Sequence, residues 1–99
     1  MKILKEITSQ EHFSAYFEDD GAVFYADLDN LGSLGSLERT ECMIFKARKS
    51  NKTDSGYVVT NWIELYFAKD IPFNRSSLIE CIKEFCRVTT DELDYERRY

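Results

Sequence analysis

The chain has one proline, four glycines and one histidine in 99 residues. So few breakers exclude a loop-rich or fibrous architecture and favour regular elements. One histidine with three cysteines, Cys42, Cys81 and Cys86, offers a poor zinc set, since structural zinc takes four ligands at short paired spacings. No Gly-x-Gly-x-x-Gly and no Gly-Lys-Ser/Thr occurs, so a phosphate-cradling loop is missing. The first ten residues, MKILKEITSQ, lack the apolar centre of a secretory signal, and no run approaches the ~20 apolar residues that span a bilayer. The expectation is a cytoplasmic protein with free, mostly buried thiols, no cofactor and no membrane contact.

What the chain has is large apolar side chains. It is 43% hydrophobic and 14% aromatic, enough to offset chain entropy in a folded unit. A chain this short makes one domain over 1–99, because two halves would each be too small to bury a core.

The net charge of −5 is uneven. Residues 1–45 hold nine acids against three bases, and residues 57–99 hold eight against six. Between them, residues 46–56 hold Lys46, Arg48, Lys49 and Lys52 against Asp54. An acidic total disfavours nucleic acid and anionic lipid as partners, because phosphate binding needs excess Lys and Arg. It favours attraction to a basic protein.

Residues 2–7 fit a short strand slightly better than a helical face. Thr8 and Glu11 have the capping-box spacing, and Phe13, Tyr16 and Phe17 follow at i, i+3, i+4, so a helix is expected near 9–18. Gly21 would end it. Strands are expected at 22–29, 40–49 and 57–69, forming a meander with a polar hairpin tip, SNKTDSG, at 50–56. Residues 57–70, YVVTNWIELYFAKD, carry the longest β pattern. There Ile63, Leu65 and Phe67 alternate with Trp62, Glu64 and Tyr66. Asn74 is a helix cap, and residues 75–88 carry the apolar stripe Leu78, Ile82, Phe85 and Cys86. That helix is expected to cover Ile63, Leu65 and Phe67. A short helical tail should follow at 91–99. The fold class is α+β, with a three- or four-stranded, mainly antiparallel sheet. Residues 31–37 repeat Leu-Gly-Ser around three leucines that suit a sheet edge or a partner.

Three patterns could carry chemistry. Val23 to Asn30 is an apolar strand ending in Asp27-x-Asp29, which offers two hard oxygen ligands. Over those eight residues it is similar to the strand that opens haloacid-dehalogenase-type phosphotransferases and polymerase palms. No second acidic pair with a phosphate lysine accompanies it, so the alternative reading is two acids entering a solvated loop. Thiol catalysis would need His12 as its base, and a solvated or packing His12 is the plainer reading. The third pattern is acidic and aromatic: Glu18, Asp19, Asp20, Asp27 and Asp29, then Asp91, Glu92, Asp94 and Tyr95, with Trp62 and Tyr66 on one strand face. Acids can imitate phosphates against a basic cleft, and Trp and Tyr anchor interfaces.

These residues point to a small acidic inhibitor, not an enzyme, that neutralises a basic, nucleic-acid-acting protein. Immunity proteins of toxins and phage anti-defence proteins share that profile. The alternatives are a Mg²⁺- or Mn²⁺-dependent phosphotransfer enzyme at Asp27 and Asp29, or a non-catalytic regulatory subunit. On the first reading, replacing Asp19, Asp20 and Asp27 by Lys should slow association and flatten its salt dependence in stopped-flow mixing. An unchanged on-rate contradicts it.

Overall fold

The computed structural model describes residues 1–9, 12–30 and 40–97, with side chains as far as residue 88. Its elements are β1 (Lys2–Thr8), β2 (His12–Asp19), β3 (Ala22–Asn30), β4 (Thr40–Lys49), β5 (Tyr57–Lys69) and α1 (Arg75–Arg97). The strands form one antiparallel sheet in the order β1-β2-β3-β4-β5, each paired with its chain neighbours. The α+β class and the 22–29, 40–49 and 57–69 meander are as expected, and the sheet has five strands where three or four were expected.

The largest departure is β2. The helix expected near 9–18 is a strand. Phe13, Tyr16 and Phe17 fit a helical stripe, but Phe13, Ala15 and Phe17 also alternate. In the sheet they turn to the helix-covered face, opposite Leu28, Ala26 and Phe24. Thr8 is no helix cap. It closes β1, and Ser9 accepts and donates around a tight turn: Ser9 N–H bonds the His12 carbonyl at 2.9 Å, and His12 N–H bonds Ser9 Oγ at 3.2 Å. Gly21 does not stop a helix either. Asp20 (φ 52°) and Gly21 (φ 80°) are the two left-handed residues of a type I′ hairpin turn between the paired Asp19 and Ala22.

The helix begins where the sequence places it. Asn74 Oδ1 accepts the Ser77 N–H at 2.8 Å, satisfying one orphan donor of the first turn. The helix then runs unbroken to Arg97, so residues 91–97 of the separate tail expected at 91–99 are the last part of α1, and residues 98–99 lie outside the described residues. Leu78, Cys81, Ile82 and Phe85 are buried on one stripe of it. They do not cover Ile63, Leu65 and Phe67. They pack on Phe17, Phe24, Ala26, Leu28, Cys42 and Ile44, with Tyr66 and Ala68 at the margin. Phe17, Phe24 and Phe85 form an aromatic cluster, with Phe24 and Phe85 edge to face at 5.0 Å, which ties β2 and β3 to α1. Each large side chain buried there contributes about 1.5–3 kcal/mol.

Among the described residues the second face has no helix, and Tyr16 and Phe45 on it are nonetheless buried. The reason lies in β5. Ile44 pairs with Tyr66, but Lys46 pairs with Asn61 and Ala47 with Val59. Residues 62–65 therefore face Phe45 alone, and a second slip follows. Such bulges bend a strand and increase its twist. The β4–β5 hairpin curls over the second face, until Tyr57 of β5 stacks on Tyr16 of β2 at 5.0 Å. In a flat sheet those strands would stand roughly 14 Å apart. Residues 31–39, with the three leucines of the repeat, lie outside the described residues.

The two positions Ile82 and Ile63 separate these packings. Ile82→Ala should cost about 2–5 kcal/mol in urea unfolding, because Ile82 is fully buried under α1. Ile63→Ala should change stability by less than about 1 kcal/mol. Equal losses would mean that α1 covers Ile63 after all.

Candidate protein-binding surface

The bulges in β5 also decide what is exposed. Where residues 62–65 loop out against Phe45, the strand loses the strict alternation that would hide one row of side chains. Trp62 is 69% exposed, Ile63 68%, Leu65 50% and Phe67 48%. Trp62 makes an edge-to-face contact with Phe45 at 5.1 Å. Four large apolar side chains thus stand on one strand at the rim of the sheet. Scattered exposed apolar residues are ordinary, but a contiguous set is characteristic of interfaces.

The strand that carries them is also an edge. β5 pairs with β4 on one side and, among the described residues, ends the sheet on the other. Asp70 N–H bonds the Thr40 carbonyl at 2.8 Å, beyond the paired Ala68–Cys42 and Tyr66–Ile44. In an antiparallel ladder the inward groups alternate, so Tyr66 and Ala68 turn theirs to β4. The N–H and C=O of Phe67 and Lys69 turn outward, next to the apolar side chains. On the helix side of this edge runs a groove of about 510 Å³ between β5 and the first half of α1. Tyr66, Ala68, Ile71 and Pro72 line one part of it, Glu80 and Glu84 another, and among the described residues no Lys or Arg lines it.

The acidic residues expected to act together are separated. Glu18, Asp19 and Asp20 sit at the β2–β3 turn, with Asp19 3.6 Å from the terminal ammonium of Met1. Asp27 and Asp29 lie seven and nine residues beyond that turn's Asp20, at the far end of β3. They are on the face opposite α1, where Ser14 pairs with Asp27 and His12 with Asp29. Trp62 and Tyr66, expected on one face, are on different faces. The bulge turns Tyr66 to α1, where its ring meets Phe85 at 6.3 Å. The side chains of Asp91, Glu92, Asp94 and Tyr95 lie outside the described residues.

Asp27 is a structural carboxyl of unusual kind. One of its oxygens is buried without a hydrogen-bond partner. Burial, and then the charge and hydrogen bond of neighbouring Asp29, push its pKa up to about 7, against the opposing pull of His12. Beside it, burial pushes the Tyr25 hydroxyl up to about 12. Replacing Asp27 by Lys would put an unpaired cation into this packed face, so only Asp19 and Asp20 remain suited to a charge-reversal test. Among the described residues, no group of three or more His, Cys, Asp or Glu could hold a metal ion.

All three thiols are free, with Cys42 and Cys81 buried and Cys86 half-buried. Contact with Cys81 and burial hold the Cys42 thiol well above its usual range, and burial with Asp19 nearby pushes Cys86 up to about 11. Among the described residues, no helix is long and apolar enough to cross a membrane. Comparison of the chain with protein-family models, curated protein sequences and solved structures gives no match.

The raised pKa of Asp27 has a defined sign. The folded carboxyl keeps its proton to a higher pH than the unfolded chain does, near 3.9 there. The stability it contributes is therefore present below about pH 4 and is lost as pH rises through about 7. Asp27→Asn keeps the neutral form, so its melting temperature should gain on the wild type as pH rises over that window. A difference that does not vary with pH contradicts this assignment.

Proposed function

We propose that this chain is a non-catalytic binding protein, an acidic inhibitor that docks on a basic protein through the outer edge of β5. The observation that carries the proposal is the exposure of Trp62, Ile63, Leu65 and Phe67 on β5, which is an edge strand among the described residues. Trp and Phe are enriched where binding energy concentrates. The charge of −5 supports a basic partner, since opposite fields steer encounter and raise the association rate. A nuclease or toxin with a phosphate-binding cleft has that charge. The dispersal of Glu18, Asp19 and Asp20 from Asp27 and Asp29 assigns the acids a general steering part, with the anchoring done at β5.

The test is capture from host extract with the wild type and with Leu65→Ser/Phe67→Ser, which leaves the α1 core untouched. The wild type should retain a basic protein, release it as salt rises and reduce its activity on nucleic acid. The double variant should fold and fail to retain it. Retention by both proteins, or a partner that is not basic, overturns the proposal.

A further inference from the structure

We infer that β5 takes an extended segment of its partner as a sixth strand, and that the groove beside α1 selects a segment in which apolar and basic residues alternate. The inference rests on the binding role proposed above and names the chemistry of what binds.

Three observations converge on this edge. The outward N–H and C=O groups of Phe67 and Lys69 offer the hydrogen bonds of a further antiparallel ladder. The edge is long and regular enough for this only at its C-terminal end, where Met43–Phe67 and Glu41–Lys69 keep the ladder in register. The groove lies along that same end. Side chains of an added strand alternate between the two faces of the sheet. Those on the helix side enter the groove, and those on the other side meet Leu65 and Phe67.

The groove's chemistry sets the pattern. Tyr66, Ala68, Ile71 and Pro72 give it an apolar part that suits an aliphatic side chain. Glu80 and Glu84, one turn apart on α1, give it two carboxylates. Their helical partners Lys83 and Arg87 are exposed and do not line it. Glu80 and Glu84 are already paired with Lys83 and Arg87, so a Lys or Arg of the added strand exchanges with two exposed i,i+3 ion pairs, which are weak in water. The opposite end of the groove holds Asn74, Ser76 and Ser77 at the start of α1, where the helix dipole disfavours a cation. Basic side chains therefore belong over Glu80 and Glu84, and apolar ones over Ile71 and Pro72. An acidic strand would meet repulsion from both carboxylates.

Synthetic peptides of about eight residues test this, the length of an ordinary strand. The probes are an alternating Val-Lys peptide, its Val-Glu counterpart, and the Val-Lys peptide N-methylated on alternate amides in each of the two registers. Trp62, the chain's single tryptophan, stands on β5 and reports binding by its emission. Val-Lys should bind, and Val-Glu should bind at least about 10-fold more weakly. One methylated register should abolish binding, and the other should leave it nearly intact, because only alternate amides face β5. Glu80→Gln/Glu84→Gln should weaken Val-Lys binding about 5- to 10-fold. Equal binding of Val-Lys and Val-Glu, indifference to methylation, or no Val-Lys binding at millimolar peptide overturns the inference. Capture of a basic partner that needs Leu65 and Phe67 but ignores Glu80→Gln/Glu84→Gln also overturns it, while leaving the broader binding role standing.

Discussion

A five-stranded sheet has two faces to keep from water, and the described residues hold one helix to do it with. The stack of Tyr57 on Tyr16 resolves that constraint. It joins β5 to β2 across two intervening strands, so the sheet must fold toward itself. The bulges opposite Phe45 allow the bend, and the Thr53 and Ser55 hydroxyls hold the hairpin tip by donating to the Tyr57 carbonyl at 2.8 and 2.9 Å. Tyr16 and Phe45 are then buried and Tyr25 between them half-buried, with no described helix over that face. The same bend pushes Trp62 and Ile63 outward. Closure of one face and exposure of the β5 rim are consequences of a single irregularity.

The strands after Gly21 and the start of α1 were legible because their signals were local and unopposed. The meander shows alternating patterns with a polar tip, and Asn74 precedes an apolar stripe. β2 was not legible, because HFSAYFED satisfies two periods at once. The aromatic residues favoured the helical one, and only Ala15, small and easily discounted, completes the alternation of Phe13 and Phe17. Asp20-Gly21 between two apolar runs is the hairpin signal that should have settled the matter, since left-handed φ at both positions suits Asp and Gly. The rim of β5 was illegible for a different reason. A register slip is set by how a strand meets its partner, and nothing in WIEL marks where the period breaks. Alternation therefore assigned Ile63, Leu65 and Phe67 to the core and grouped Trp62 with Tyr66, and both assignments fail across the bulge.

Electrostatics in this chain was legible as a total and misleading as a map. Acids near one another in sequence are divided between the two ends of β3 by a strand that is nine residues long. At its far end, burial, and then the charge and hydrogen bond of Asp29, raise the pKa of Asp27. That pair belongs to the packing of the curled face. The carboxylates that stand over the β5 groove, Glu80 and Glu84, come from α1, where the sequence offered only the ordinary wet face of an amphipathic helix.

The two edges of the sheet differ in a way that bears on function. β1 is short, carries Lys2 and Lys5, is broken by a bulge between Ile3 and Lys5, and is tied to α1 through Glu6 and Arg75 at 2.8 Å. Those are the devices by which an edge is kept from pairing with a stranger. β5 has thirteen residues, exposes four large apolar side chains and ends in a groove free of lining bases. β5 shares the bulges and has a lysine of its own, Lys69, so it differs from β1 in its length and in its exposed apolar side chains, and these support a β5 rim open to a partner strand.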